Sequence, residues 1–179
     1  MIYTTTFNSS IGNLLIAAKD NKLIGLWIEN QKYYLSDFKE EMSEREDVEV
    51  LTKTKSWLDR YFKGEKPNIS ELDINLIGSE CRKNVWEILK TNPYGEVITY
   101  NDIAKKIAKQ KGISKMSAQA IGGAVGHNPI SIIVPCHRVV GSNGSLTGYA
   151  GGIKKKIQLL KLEEIDTSKY FVPKGWQWL

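Results

Sequence analysis

The sequence predicts two domains of different class: an α/β domain over residues 1–76 and a mostly α-helical domain over residues 77–179 that contains a helix-turn-helix. Three observations predict this. β-Branched and apolar runs flank a turn-like Asp20-Asn21 and lead into a helix-spaced stretch. Two short helical patterns meet at Gly112. The charge changes sign between the halves: residues 1–76 hold 10 Lys and Arg against 13 Asp and Glu, and residues 77–179 hold 15 against 7.

In chain order, MIYTTTF is rich in β-branched and aromatic residues and reads as a strand. NLLIAAKD and KLIGLWIE form a hairpin about Asp20-Asn21. Residues 31–48 are charged and weakly periodic. From Val48 to Phe62 the apolar positions Val50, Leu51, Trp57, Leu58, Tyr61 and Phe62 fit a helix that Gly64 and Pro67 end. ISELDINLIG reads as a further strand. A helix over Glu80–Thr91 follows, with Val85, Trp86 and Leu89 on one face, then an Asn92-Pro93-Tyr94-Gly95 turn and a short β-like EVITY. Thr99-x-x-Asp102 resembles a capping box for a helix that buries Ile103, Ala104, Ile107 and Ala108 and ends before Gly112. A second helix starts near Ser117 and carries Ala118, Ile121, Ala124 and Val125. Its Gly122-Gly123 costs about 1 kcal/mol per glycine relative to alanine. Such a cost points to close backbone approach, by a packed helix or by a nucleic-acid groove.

The chemistry gathers after Asn128-Pro129. ISIIV reads as a buried strand that ends in Pro135-Cys136-His137-Arg138-Val139-Val140. A lone cysteine there would be simple core packing. Pro135 breaks the ladder, however, and permits a turn in which Cys136 and His137 converge directly or through a water. An imidazole in reach and a cationic Arg138 would favour the thiolate, which is the nucleophile. Five glycines between Gly141 and Gly152 form either a flexible connector or a loop that closes over a flat ligand. Lys154-Lys155-Lys156 then opens a helix against the macrodipole, which suits either phosphate binding or a solvated face.

Composition bounds the function. At 179 residues, 41% apolar and 25% charged, the chain has the make-up of a soluble globular protein, with no membrane span and no signal peptide at its start. Two cysteines and two histidines supply neither a disulfide framework nor a four-ligand zinc site. The expected setting is reducing and cytoplasmic, without metal or cofactor. The net charge of +5, concentrated in the second half, suits a polyanionic partner or a lysine-rich solvated surface.

Together these motifs resemble the O6-alkylguanine-DNA alkyltransferases, also called methylated-DNA–protein-cysteine methyltransferases. The matching residues are Val85-Trp86, Pro93-x-Gly95, Thr99-Tyr100, Ile121-Gly122-Gly123-Ala124, Asn128-Pro129, Pro135-Cys136-His137-Arg138-Val139-Val140, Gly148-Tyr149-x-Gly151-Gly152 and Leu159-Leu160-x-x-Glu163. The resemblance spans nearly all of residues 79–165. It implies a ribonuclease-H-like N-terminal domain and a winged-helix-like C-terminal domain.

It also implies roles. Cys136 would accept the alkyl group from O6 of a guanine turned out of double-stranded DNA, with O4-alkylthymine a second candidate substrate. His137, acting through a water and oriented by Glu163, would take the thiol proton. Tyr100 would assist the leaving guanine, and Asn128 would tie the recognition helix to the acceptor. Val139, with Cys136, would offer a carbonyl to the base; Tyr149 and Ala150 would close over it, near Lys156. Ala118, Gln119, Gly122 and Gly123 would meet the DNA through the minor groove, in the family manner. Arg138 would be structural. Each chain would act once, because the thioether product has no good leaving group, and would do so as a monomer. Two other readings remain open at this level, a non-catalytic damage binder and an unrelated cysteine hydrolase.

The sequence departs from the family pattern at Gln119, where most members carry an arginine finger. Glutamine can hydrogen-bond an orphaned cytosine but has no guanidinium plane to stack. The turn Lys109–Met116 is longer than usual and carries Lys109, Lys111 and Lys115. Cys81 stands where an aromatic residue is common and reads as a structural or incidental thiol, and His127 reads as a surface or phosphate-side residue.

Overall fold

A computed structural model describes residues 1–175, which form two compact units. The first comprises Met1–Ile77 together with Pro129–Ile133, and the second Gly78–Asn128 with Val134 onward.

In the first unit, β1 (Ile2–Ser9), β2 (Gly12–Lys19), β3 (Lys22–Ile28) and β4 (Met42–Glu44) form one sheet in the order β3-β2-β1-β4. The first three strands are antiparallel, and β4 runs parallel to β1. Asp20 and Asn21 both take left-handed φ, 52° and 54°, as a two-residue hairpin whose twist matches its strands requires. Helix α1 (Glu49–Phe62) packs on the sheet with Val50, Leu51, Thr54, Trp57, Leu58 and Tyr61 buried. Its N-cap, Val48, has no capping side chain, and the Asn21 side chain accepts the Val50 N–H at 3.0 Å instead. The hairpin turn thus caps a helix far along the chain.

Two expected strands are absent. ISELDINLIG forms a 3₁₀ turn at Ile69–Glu71, held by an Asn68/Glu71 capping box, and a single bridge from Ile74 to Leu23. The ISIIV run is fully buried but makes only one bridge, Ile130 to Leu26. Ser131 N–H donates to Leu26 at 2.9 Å, and the chain then turns. Ile132 sits at φ 71°, and the Ile133 N–H donates back to Ser131 at 2.8 Å, which makes a strained γ-turn around a β-branched residue.

The second unit holds α2 (Glu80–Lys90), β5 (Ile98–Thr99), α3 (Tyr100–Lys111), α4 (Ala118–Gly126), β6 (Val139–Val140) and α5 (Ile153–Leu162). β5 and β6 pair in parallel. The Thr99/Asp102 capping box starts α3, and Gly112 ends it at φ 66°. Ser117 caps α4, so α3 and α4 form the expected helix-turn-helix. Trp86, buried on α2, donates its indole N–H to the Ala124 carbonyl at 2.7 Å and so ties α2 to α4.

Gly25 shows how closely the first unit is packed. A Cβ there would lie 2.0 Å from the ring of Trp27, two residues along the same face of β3. Trp27 in turn belongs to the core with Ile2, Ala17 and Ile24, so the ring has little room to retreat. Gly25→Ala is expected to destabilise the protein by about 1–3 kcal/mol, read as a lower urea midpoint with an unchanged slope.

Candidate active site

Two consecutive tight turns precede the Cys136 sulfur. After Ile132, Pro135 adopts φ −83° and ψ 66°, the geometry of an inverse γ-turn, and the Cys136 N–H donates to Val134 at 2.8 Å. Asn128, just past the end of α4, donates Nδ2–H to the same Val134 carbonyl at 2.7 Å. Cys136, His137 and Arg138 then form one buried 3₁₀ turn that leads into β6.

Burial pushes the Cys136 thiol up from its ordinary value, opposed by a hydrogen bond from Asn128, the charge of Lys156 and the backbone N–H groups of Cys136 and His137. At rest the group is therefore a thiol. The expectation that Arg138 favours its ionisation is not met: the charge that lowers the thiol is that of Lys156, and the guanidinium is engaged by other groups. Its Nε donates to Glu163 Oε1 at 2.7 Å and its Nη1 to the Asn92 carbonyl at 2.8 Å. The cation beside the sulfur is Lys156.

His137 is fully buried, and its Nε2 lies 2.5 Å from Glu163 Oε2. Burial lowers its proton affinity, assisted by the charges of Arg138 and Lys156 and opposed by Glu163. For Glu163, burial raises the carboxyl, but the hydrogen bond from His137 and the hydrogen bond and charge of Arg138 outweigh it and hold the group well below the carboxylate range. The pair thus rests as carboxylate and neutral imidazole. The hydrogen-bond network assigns the imidazole proton to Nε2, where it is donated to Glu163. Nδ1 is buried without a hydrogen-bond partner among the described residues.

Glu163 caps the C-terminal end of α5, and its Oε1 also accepts the Gly95 N–H at 3.1 Å. The Asn92–Gly95 segment, legible in sequence only as a turn, therefore belongs to the site. Lys156, in α5 and also fully buried, donates to the Val139 and Thr147 carbonyls at 2.5 and 3.0 Å. Burial lowers it to about 8. The three lysines that open α5 thus divide: Lys154 is exposed and Lys155 half-buried, whereas Lys156 serves the interior and not a phosphate.

The hydroxyl of Tyr100, at the start of α3, donates to that same Thr147 carbonyl at 3.1 Å. Burial and the neighbouring Cys136 push Tyr100 up to about 12. Gly148, at φ 74°, is required here, since a Cβ would lie 2.8 Å from the Tyr100 hydroxyl. Tyr149 is buried with its hydroxyl unpartnered among the described residues, and Ala150 beside it is half-buried. Burial, then Cys136 and Glu163, raise Tyr149 well above the ordinary phenol value. Both phenols are therefore donors at neutral pH. Sequence reasoning missed the Thr147 carbonyl, because a main-chain acceptor leaves no trace in residue type.

The helix-turn-helix offers a separate surface. Ala118 and Gln119 are exposed in the first turn of α4, as are Lys109, Lys111 and Lys115 ahead of it. A Cβ at Gly122 or Gly123 would meet nothing within 4 Å, so no packed helix accounts for the two glycines. His127 engages the Gly123 carbonyl at 2.7 Å through Nδ1. Cys81 is half-buried near the start of α2. No three His, Cys, Asp or Glu among the described residues gather as a metal site would require, and no helix there is long and apolar enough to cross a membrane.

Residues 80–165 match the DNA-binding domain of the 6-O-methylguanine DNA methyltransferase family, and residues 2–76 match its ribonuclease-like domain. The methylated-DNA–protein-cysteine methyltransferase of Mycolicibacterium paratuberculosis is 40% identical, over 91% of this chain and 93% of its own length. That of Haemophilus influenzae is 34% identical, over 97% and 90%. Among solved structures, the OGT of Mycobacterium tuberculosis in complex with DNA is similar at 36% identity and a TM-score of 0.77, with 94% of each chain covered.

Glu163 loses its ordinary proton affinity on folding, so it stabilises the fold above pH 4.5, and that stabilisation fades as pH falls towards the lowered folded value. Glu163→Gln also leaves Arg138 buried without its counter-ion. The variant is expected to be destabilised by about 3–5 kcal/mol at neutral pH. Urea unfolding of both proteins should show the gap narrowing as pH drops below 4.5.

Proposed function

The chain belongs to the 6-O-methylguanine DNA methyltransferase family, and from that premise we propose that Cys136 is its alkyl acceptor, with Tyr100, Asn128, His137 and Glu163 serving the transfer. The protein repairs DNA by moving an alkyl group onto one of its own cysteines.

The observation that carries the residue assignment is the neighbourhood of the sulfur. Burial opposes ionisation of Cys136, so the thiol reacts only with a base at hand, and the adjacent His137 is neutral with one ring nitrogen unpartnered. Through a water, the thiol proton passes to Nδ1 while Nε2–H stays on Glu163. The sulfur forms a bond to the alkyl carbon as the carbon–O6 bond breaks. Tyr100, kept protonated, leaves Thr147 and donates to the departing guanine. The proton gained by His137 then passes to the Tyr100 oxygen, so that one hydrogen has moved, net, from the thiol to the restored guanine. Asn128 and Lys156 stabilise the developing thiolate. The thioether has no leaving group and needs no cofactor, so each molecule reacts once.

The substrate is an alkylated base in double-stranded DNA, O6-alkylguanine foremost and O4-alkylthymine second. Reaching a buried sulfur requires the nucleotide to leave the stack, at a cost of a few kcal/mol. Phosphate contacts by the exposed lysines and close approach of α4, through Ala118, Gln119, Gly122 and Gly123, offset that cost. The Val139 carbonyl, with one lone pair on Lys156, offers the other to the base. Tyr149 and Ala150 close over it. The protein works as a monomer in the cytoplasm, where a reducing environment keeps the thiol free.

Incubation with a duplex containing O6-methylguanine is expected to add one methylene's mass, about 14 Da, to the peptide bearing Cys136. Mass on Cys81, or on neither peptide, refutes the assignment. The exposed Gln119 yields a second expectation. Gln119→Arg should speed repair of duplex DNA about tenfold while leaving the reaction with free O6-benzylguanine within about twofold, because a guanidinium stacks where glutamine does not. Equal gains on both substrates would rule out a role in turning the base out.

A further inference from the structure

We propose that Arg138 is a positioning residue of the transfer reaction: it fixes Glu163 as a carboxylate and thereby keeps His137 neutral, with Nδ1 free to receive the thiol proton. This rests on the reading of His137 as the base and adds the residue that determines whether that base is available.

The two oxygens of Glu163 have different partners. Oε1 accepts from Arg138 Nε at 2.7 Å and from the Gly95 N–H at 3.1 Å, and Oε2 faces His137 Nε2 at 2.5 Å. Arg138 is fixed in turn by the Asn92 carbonyl at 2.8 Å and lies over the Tyr94 ring at 5.7 Å from its centroid. Because Oε1 is engaged from two sides, the carboxylate presents Oε2 to the imidazole in one orientation. A lysine could supply the charge but not both directed contacts.

The charge count gives the arrangement its chemical meaning. His137 faces Glu163 from the end of α5, Lys156 from within α5, and Arg138 on its own turn. Cys136 precedes it, and the Tyr149 phenol faces both Cys136 and Glu163. Tyr94 faces Glu163, Glu164 and Arg138. With Arg138 present, Glu163 already has a counter-ion, and a proton on the resting imidazole would add an uncompensated buried charge. Without Arg138, the neutral arrangement would be carboxylate with imidazolium. His137 would then rest protonated and could not accept from the thiol. Arg138 exchanges no proton itself; the thiol hydrogen moves to Nδ1, and Nε2–H remains on Glu163 throughout.

The chain has two histidines, so His137 can be followed directly by nitrogen-15 NMR beside His127. In the wild-type protein His137 is expected to remain the neutral Nε2–H tautomer at pH 6.5, with the acid limb of O6-benzylguanine transfer also below that value. In Arg138→Gln, both the titration and the acid limb should move up by about one pH unit or more. In Arg138→Lys both should stay near their wild-type positions, although the maximal rate falls. A lower melting temperature or maximal rate in Arg138→Gln with both unmoved overturns the proposal, since a merely structural arginine would give that result. If Arg138→Gln does not fold, a wild-type His137 that titrates at or above 6.5 is equally fatal. A wild-type rate that ignores the titration of His137 overturns the base assignment beneath the proposal, so the two failures are told apart.

Discussion

A carboxylate buried at the C-terminal end of a helix is the constraint around which the Cys136 site is arranged. Glu163 caps α5, where the helix dipole already places partial negative charge, and it is removed from water. Such a charge survives only if donors and cations converge on it. Arg138, His137 and Gly95 do so, from two further stretches of chain. Neutralising Glu163 therefore also brings the Asn92–Gly95 turn and the 3₁₀ turn of Cys136 together, so the folding problem and the arrangement proposed for the transfer have one solution.

The other end of α5 breaks the same rule with the opposite sign. Lys156 lies early in the helix and is buried, where a cation is disfavoured, yet it is held by two carbonyls and its charge acts on Cys136. A helix with both ends charged against its dipole is locally poor and globally consistent only through its partners. Departures of this kind are expected where function and not stability selects the residue.

The parts of the fold legible in the sequence are those encoded locally. The Asp20-Asn21 hairpin, the Thr99/Asp102 capping box, the Gly112 stop and the Ser117 cap each depend on residues a few positions apart. Cys136, His137 and Glu163 were legible because their motif is compound. The run from Ile130 to Val134 was not, since a buried β-branched stretch has the same composition whether it pairs or turns. Here it pairs once, with Leu26, and then turns at a left-handed Ile132. Arg138 misled for a related reason. Nearness in sequence suggested an effect on the sulfur, but on a 3₁₀ turn its side chain leaves in another direction and meets a residue 25 positions away.

Thr147 is held entirely through its main chain. The Tyr100 hydroxyl and the Lys156 ammonium both grip its carbonyl, and Gly148 gives the tyrosine room. The glycine-rich loop is therefore anchored at a point indifferent to the side chain at position 147. A change of side chain at 147 leaves this anchor intact, whereas loss of Tyr100, Gly148 or Lys156 loosens it.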